Sequence, residues 1–208
     1  MSRKYWYSSL WNWNGNLLCA VDTETTGPIA GVHDIIELAV VPLDSEIRVN
    51  KEFNPFCCTI QPKRIENYLD ESTRMNRLRI AEAKVNGIDP WRAADLFDEW
   101  FEKLRLAENK RILPLACYWP HDRAFLIDFL GWKNFHHVFD VRYRDIQTAA
   151  LFMNDRSEFE LEQQIPHPKT NMQYLCSQYK IERKRPHTAL EDAVITAEIY
   201  RMMIKESL

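Results

Sequence analysis

A short apolar run that ends in acids constrains this chain more than any other feature. Leu17-Leu18-Cys19-Ala20-Val21 is followed at once by Asp22-Thr23-Glu24. An unbroken apolar run of this length suits a central strand covered on both faces. Side chains at i and i+2 of a strand share a face, so Asp22 and Glu24 point the same way at the strand's end. Two like charges so placed are costly unless something positive lies between them or the strand end is fully solvated. If a cation supplies the relief, carboxylate oxygens with no thiolate or imidazole cluster favour a hard ion, Mg2+ or Mn2+.

The rest of the chain supplies a sheet around that strand. Asp34 to Leu43 reads as a second strand and Lys51 to Ile60 as a third, with short connections that predict an antiparallel meander. Asp89-Pro90 opens a helix as N-cap and N1. A fourth strand is expected over Arg111 to Tyr118, then a helix from His121 to Leu130 stopped by Gly131. A fifth strand is expected over Phe135 to Val141, a helix over Tyr143 to Met153 and a loop over 154–169. Thr170 is expected to cap a helix through Tyr179, and Ala189 to Ile204 forms the last helix. The fold class is therefore α/β: a mixed sheet of about five strands, three antiparallel and then parallel, flanked by helices. Tyr5, Trp6, Tyr7, Trp11 and Trp13 mark residues 1–15 as an aromatic N-terminal arm before a domain over 16–208. Such an arm packs on the domain or offers its rings to bases or a partner.

With 27 basic and 30 acidic residues the net charge is −3, which argues against binding nucleic acid through bulk positive charge. A nucleic-acid enzyme stays open if bound cations supply the missing charge. Five cysteines, an odd number with no CxxC pair, argue against a disulfide framework or a zinc cluster. Reduced thiols imply a reducing, cytoplasmic location. No apolar run reaches the roughly 18 residues of a membrane span, and the N-terminus lacks the apolar core of a signal peptide.

Two further acids and a histidine join the first pair. Asp122 falls where the fourth strand gives way to a helix, a place for a helix-capping acid and also where ligands meet strand ends in α/β sheets. In Pro186-His187-Thr188-Ala189-Leu190-Glu191-Asp192-Ala193, the Thr188/Glu191 spacing is that of a capping box. Ala189, Ala193 and Ala197 then form a small-residue stripe that lets the helix approach the sheet. Asp192 borders that stripe and so faces inward, where an unpaired acid is expensive. His187 lies just outside the helix, either as a surface residue or swung toward Asp192. Four acids and one histidine at strand ends and helix starts suit two-metal hydrolysis of a phosphodiester, with cations about 4 Å apart.

These segments resemble the DEDDh exonucleases, the DnaQ-like branch of the ribonuclease H-like fold. Asp22-Thr23-Glu24-Thr25-Thr26-Gly27 resembles their first motif, and Ile35-Ile36-Glu37-Leu38-Ala39 the strand that follows it. His121-Asp122-Arg123-Ala124-Phe125-Leu126 resembles the second, with Tyr118 where asparagine is common and His121 where an aromatic is common. His187 to Ala193 resembles the third, and Arg144-Asp145-Ile146-Gln147-Thr148 a further segment in which Asp145 has a structural or supporting role. The resemblance implies a 3'-5' exonuclease that releases nucleoside 5'-monophosphates with two divalent ions, Mg2+ or Mn2+. It assigns Asp22, Glu24, Asp122 and Asp192 to the metals and His187 to general-base duty. It sets Thr25 and Thr26, through backbone N–H groups, near the terminal nucleotide, with Ile35 and Phe125 against the bases. The expected partners are 3' ends of single-stranded DNA or RNA, DNA favoured; the Asp122-Arg123-x-Phe125-Leu126 run and Tyr143-Arg144 also resemble oligoribonucleases. A homodimer and a replication or repair partner are compatible with the resemblance. A nucleotide phosphatase and a non-catalytic nucleic-acid-binding module are the rival classes.

Overall fold

The sheet is assembled around the acid-tipped strand. In the computed structural model, β1 (Leu17–Thr25) pairs antiparallel with β2 (Ile35–Pro42), and β2 with β3 (Phe56–Thr59). On its other side β1 runs parallel to β4 (Ile112–Ala116), which runs parallel to β5 (Arg144–Asp145), giving the order β3-β2-β1-β4-β5. The structure describes residues 15–64, 70–160, 165–184 and 187–206, with 70–77 by backbone alone. The aromatic arm therefore lies outside the described residues except for Gly15.

Seven helices complete the described fold: α1 (Asp70–Asn86), α2 (Pro90–Lys103), α3 (Trp119–Leu130), α4 (Trp132–Val138), α5 (Ile146–Phe159), α6 (Met172–Tyr179) and α7 (Ala189–Glu206). Alternation along β1 sorts them into two layers. Leu17, Cys19 and Val21 join a core with Phe97, Trp119, Phe125 and Phe135 from α2, α3 and α4. Leu18 and Ala20 join a second core with Ile146, Leu175, Ala189 and Ala193 from α5, α6 and α7. The strand is buried on both faces, as its unbroken apolar run requires. The alanine stripe of α7 is buried with β1 and β2, which brings the first turn of that helix beside the strand end. No helix among the described residues is long and apolar enough to cross a membrane.

Several local expectations differ from the structure. Residues 132–138 are helix α4, not part of a fifth strand: Phe135 and Phe139 stack at the i, i+4 spacing, centroids 5.2 Å apart, and only Phe139 makes a bridge, to Ile112. The fifth strand is instead the two residues before α5. The third strand is shortened because the Asn50 side chain accepts from the N–H groups of Glu52 and Phe53 and turns the chain away. Helix α5 continues through 154–159, where the Asn154 amide bonds both backbone groups of His167 at 2.8 Å. Asn171, not Thr170, caps α6 by accepting from the Tyr174 N–H. Helix α1 has no clear signal in the sequence; Ile80 and Ala83 pack against Ile36, while Leu78 is exposed, so its apolar stripe is narrow.

The loop between β1 and β2 is closed by Thr26, which donates its N–H to the Asp34 carbonyl and accepts from the Asp34 N–H on its hydroxyl. His33 folds beneath this loop, and a β-carbon on Gly27 would sit 2.2 Å from its ring. Glycine is required there by close approach to a buried ring. Gly27→Ala is expected to lower stability by about 1–3 kcal/mol through overpacking. Urea unfolding measures this: His33→Ala in the same chain should recover part of the loss, and an unchanged midpoint in Gly27→Ala would refute the packing argument.

Candidate active site

The last residues of β1 carry both acids of the strand end. Asp22 is half-buried and Glu24 is buried, and Glu24 stands opposite Glu37 on β2. From α1, Arg79 reaches over this pair, with Nη1 3.2 Å from Glu37 and 3.7 Å from Glu24. The first turn of α7 brings Asp192 to the same place. Its helix is opened by Thr188, whose hydroxyl is 3.4 Å from the Glu191 N–H; the Glu191 carboxylate accepts from the Lys184 N–H rather than closing the reciprocal half of a capping box. Asp192 is buried and its two oxygens accept from a single Nη of Arg183, each at 2.7 Å.

His187 is exposed, with a left-handed φ of 68°, one residue before Thr188. That turn sets its ring beside the acids: ligand atoms of Glu24, His187 and Asp192 all lie within 4.8 Å of one another. Asp122 is held differently. It sits in the first turn of α3 and accepts from both the N–H (3.0 Å) and the hydroxyl (2.7 Å) of Thr23, the residue between the two β1 acids. The compact trio takes in neither Asp22, two residues before Glu24 on the strand, nor Asp122, which is anchored to the strand from the α3 side. Asp145 caps α5 by accepting from the Thr148 N–H at 2.8 Å and accepts from the Trp119 N–H at 2.6 Å, so it fixes the start of the helix that carries Asp122.

The sequence model of the exonuclease family RNase T matches residues 19–200, a span that includes every one of these acids and His187. The chain belongs to this exonuclease family. Its motifs resemble those of the DEDDh, DnaQ-like 3'-5' exonucleases. A curated relative, the 3'-5' DNA exonuclease Cap18 of Escherichia coli, is 23% identical over 192 residues, 92% of this chain and 93% of Cap18. Among solved structures, the nuclease domain of 3'hExo, a DEDDh family member bound to rAMP, superposes with a TM-score of 0.66 at 18% identity over 92% of each chain. Cell-death related nuclease 4 gives a TM-score of 0.68 at 14% identity, over 92% of this chain and 64% of that one.

Burial and mutual repulsion dominate the electrostatics of this RNase T-family site. Asp22 is held well above the usual carboxylate range, by burial first and then by Asp122, Glu24, Asp192 and Glu37. Burial pushes Glu24 up to about 8; Arg79 opposes the shift, while Asp192 and Glu37 add to it. Burial raises Asp122 to about 7 despite its two bonds from Thr23. Oxygen donors that retain protons near neutral pH for want of positive charge are the donor set a hard divalent cation fits.

The four residues assigned to substrate lie close by, with one correction. Ile35 and Phe125 both line a groove of about 540 Å³ that is also walled by Asp34, Arg64, Trp91 and Asp128. Both are themselves largely buried in the core, so each offers an edge rather than a ring face. The Thr25 hydroxyl donates to the Gly27 carbonyl. The Thr26 N–H, expected to be available to the nucleotide, is spent on Asp34, and the residue is fully buried, so Thr26 shapes the loop instead. Sequence pattern does not single out Arg79, Arg183 or Thr23. The arginines come from segments with no motif of their own, whereas Thr23 sits inside the first motif, and its alternation with the acids is the signal that could have found it.

A raised carboxyl pKa fixes the sign of a pH dependence. Glu24 binds its proton more tightly in the folded chain, so its contribution to stability is fully present below about 4.5 and is lost as pH rises through about 8. Thermal melts in EDTA should therefore fall in midpoint across that window. Glu24→Gln should flatten the fall, and a wild-type midpoint independent of pH would contradict the raised proton affinity that burial and the neighbouring acids give Glu24.

Proposed function

We propose that this exonuclease removes nucleoside 5'-monophosphates one at a time from the 3' end of single-stranded nucleic acid, DNA in preference to RNA. The observation that carries the proposal is the geometric cluster of Glu24, Asp192 and the exposed His187, with Asp22 on the same face of the end of β1. Asp22, Glu24 and Asp192 would hold one divalent ion, with Asp22 shared with a second that Asp122 supports. When bound, Mg2+ or Mn2+ supplies Lewis acidity and positive charge at the scissile phosphate.

The remaining work falls to the chain's own residues. His187, on an exposed turn within 4.8 Å of Glu24 and Asp192, accepts the proton of the attacking water at a ring nitrogen. Thr23 keeps Asp122 oriented, and Asp145 keeps α3 in place beneath it. Ile35, Phe125 and the Thr25 turn bound the space for the terminal nucleotide, and apolar contact with bases of any identity suits an enzyme that must ignore sequence. The preference for DNA is supported by the likeness to Cap18, a DNA exonuclease, along almost the whole length of both chains.

Digestion of 5'-labelled and 3'-labelled strands of equal length, as DNA and as RNA, tests polarity and substrate together. A ladder shortening from the 3' end, faster on DNA, is expected. A 3'-phosphate should block it, because charge and bulk are added where the chain end must fit, and a 5'-phosphate should not. Faster turnover of RNA would reassign the substrate, and equal digestion of both blocked strands would refute the polarity.

Substitutions separate the roles. Asp22→Asn should remove nearly all turnover while keeping the fold, since it relieves repulsion and deletes a shared ligand. His187→Ala should slow the reaction by about 10²–10⁴-fold, the usual effect of losing a positioned base, while still binding Mn2+ in calorimetry. A loss of Mn2+ affinity as deep as that of Asp192→Asn would make the histidine a ligand and place the base elsewhere.

A further inference from the structure

We propose that Arg183 is a built-in competitor for the metal site, a tethered cation that occupies Asp192 when no metal is bound and must leave it for the site to load. The proposal rests on Asp22, Glu24 and Asp192 being metal ligands. Arg183 lies on the connector between α6 and α7 and donates one Nη to both oxygens of Asp192 at 2.7 Å. Its side chain is mostly buried, and its charge is felt at Glu24 as well. A guanidinium and a divalent cation on the same buried carboxylate repel one another.

Two observations separate Arg183 from a plain buttress of Asp192. Its Nε is buried without a hydrogen-bond partner among the described residues, so this pose leaves a donor of a charged group unsatisfied. Arg79 supplies the contrast. It also approaches a β1 acid, yet sits closer to Glu37 than to Glu24 and can stay on Glu37 when a metal takes Glu24. Arg183 has Asp192 as its single ion-pair partner among the described residues. Loading of the site then needs a higher metal concentration than bare carboxylates would require.

Calorimetric titration of Mn2+ into the EDTA-stripped full chain tests this. If the arginine-bound form is the main metal-free state, about nine molecules in ten, removing the competitor tightens apparent affinity about tenfold. Arg183→Met should show that gain, and Arg183→Lys, which keeps the charge but not the fork, a smaller one. Equal or weaker Mn2+ binding in Arg183→Met would overturn the proposal and make the residue a support for Asp192. Asp192→Asn with Arg183 intact is the control for the underlying assignment: unchanged Mn2+ affinity there means the metal site lies elsewhere, a different failure from the first. Should Arg183→Met not fold without metal, the wild type still decides. The side-chain Nε–H resonance of Arg183 should shift on addition of Mg2+, and an unmoved resonance would show that the arginine never leaves.

Discussion

The burial of mutually repelling carboxylates at the end of β1 is the constraint on which the rest of the structure depends. Three chain segments, distant in sequence, converge there: the strand itself with Asp22 and Glu24, the first turn of α3 with Asp122, and the first turn of α7 with Asp192. Nothing about an apolar core asks for this. Burial raises the proton affinity of Asp22, Glu24 and Asp122, and the acids around Asp22 and Glu24 raise theirs further. The fold holds the groups together by other means, and the charge problem is left for cations to solve.

Those other means are specific. β1 is clamped between two apolar layers, so its C-terminal end cannot retreat into solvent. The alanines of α7 let that helix lie close on the sheet, which carries Asp192 inward. Two hydrogen bonds from Thr23 fix Asp122, and Asp145 ties the start of α3 to that of α5. Arg79 and Arg183 partly offset the negative charge of this nuclease site in the metal-free chain. The acidic net charge of the whole molecule agrees with this division of labour, because the positive charge that meets a phosphodiester need not come from the surface.

Much of this is legible from sequence because periodicity and position encode it. The i, i+2 spacing of Asp22 and Glu24 places them on one face, and the alanine stripe with the Thr188/Glu191 spacing places Asp192 inward at a helix start. The first four strands and the helix that Gly131 ends follow from apolar runs and caps. What is not legible depends on contacts between distant segments. Phe135 reads as a strand residue because aromatics favour strands, yet it lies in helix α4, where it stacks on Trp119 and on Phe139, the extended residue just past the helix. The Thr26 N–H looks free until Asp34 is seen to take it. Arg183 carries no periodic signal, and its partner lies nine residues on in a different element.

The sharpest test of carboxylate repulsion counts protons. Metal binding to acids that retain protons must expel them, so the heat of Mn2+ binding near neutral pH should vary with the ionisation enthalpy of the buffer. With Glu24 near 8 and Asp122 near 7, protons should be released on binding, and fewer in Glu24→Gln. A binding heat independent of buffer would mean that the acids were already ionised in the metal-free chain, and would contradict a site in which burial and neighbouring charge make the carboxylates hold their protons.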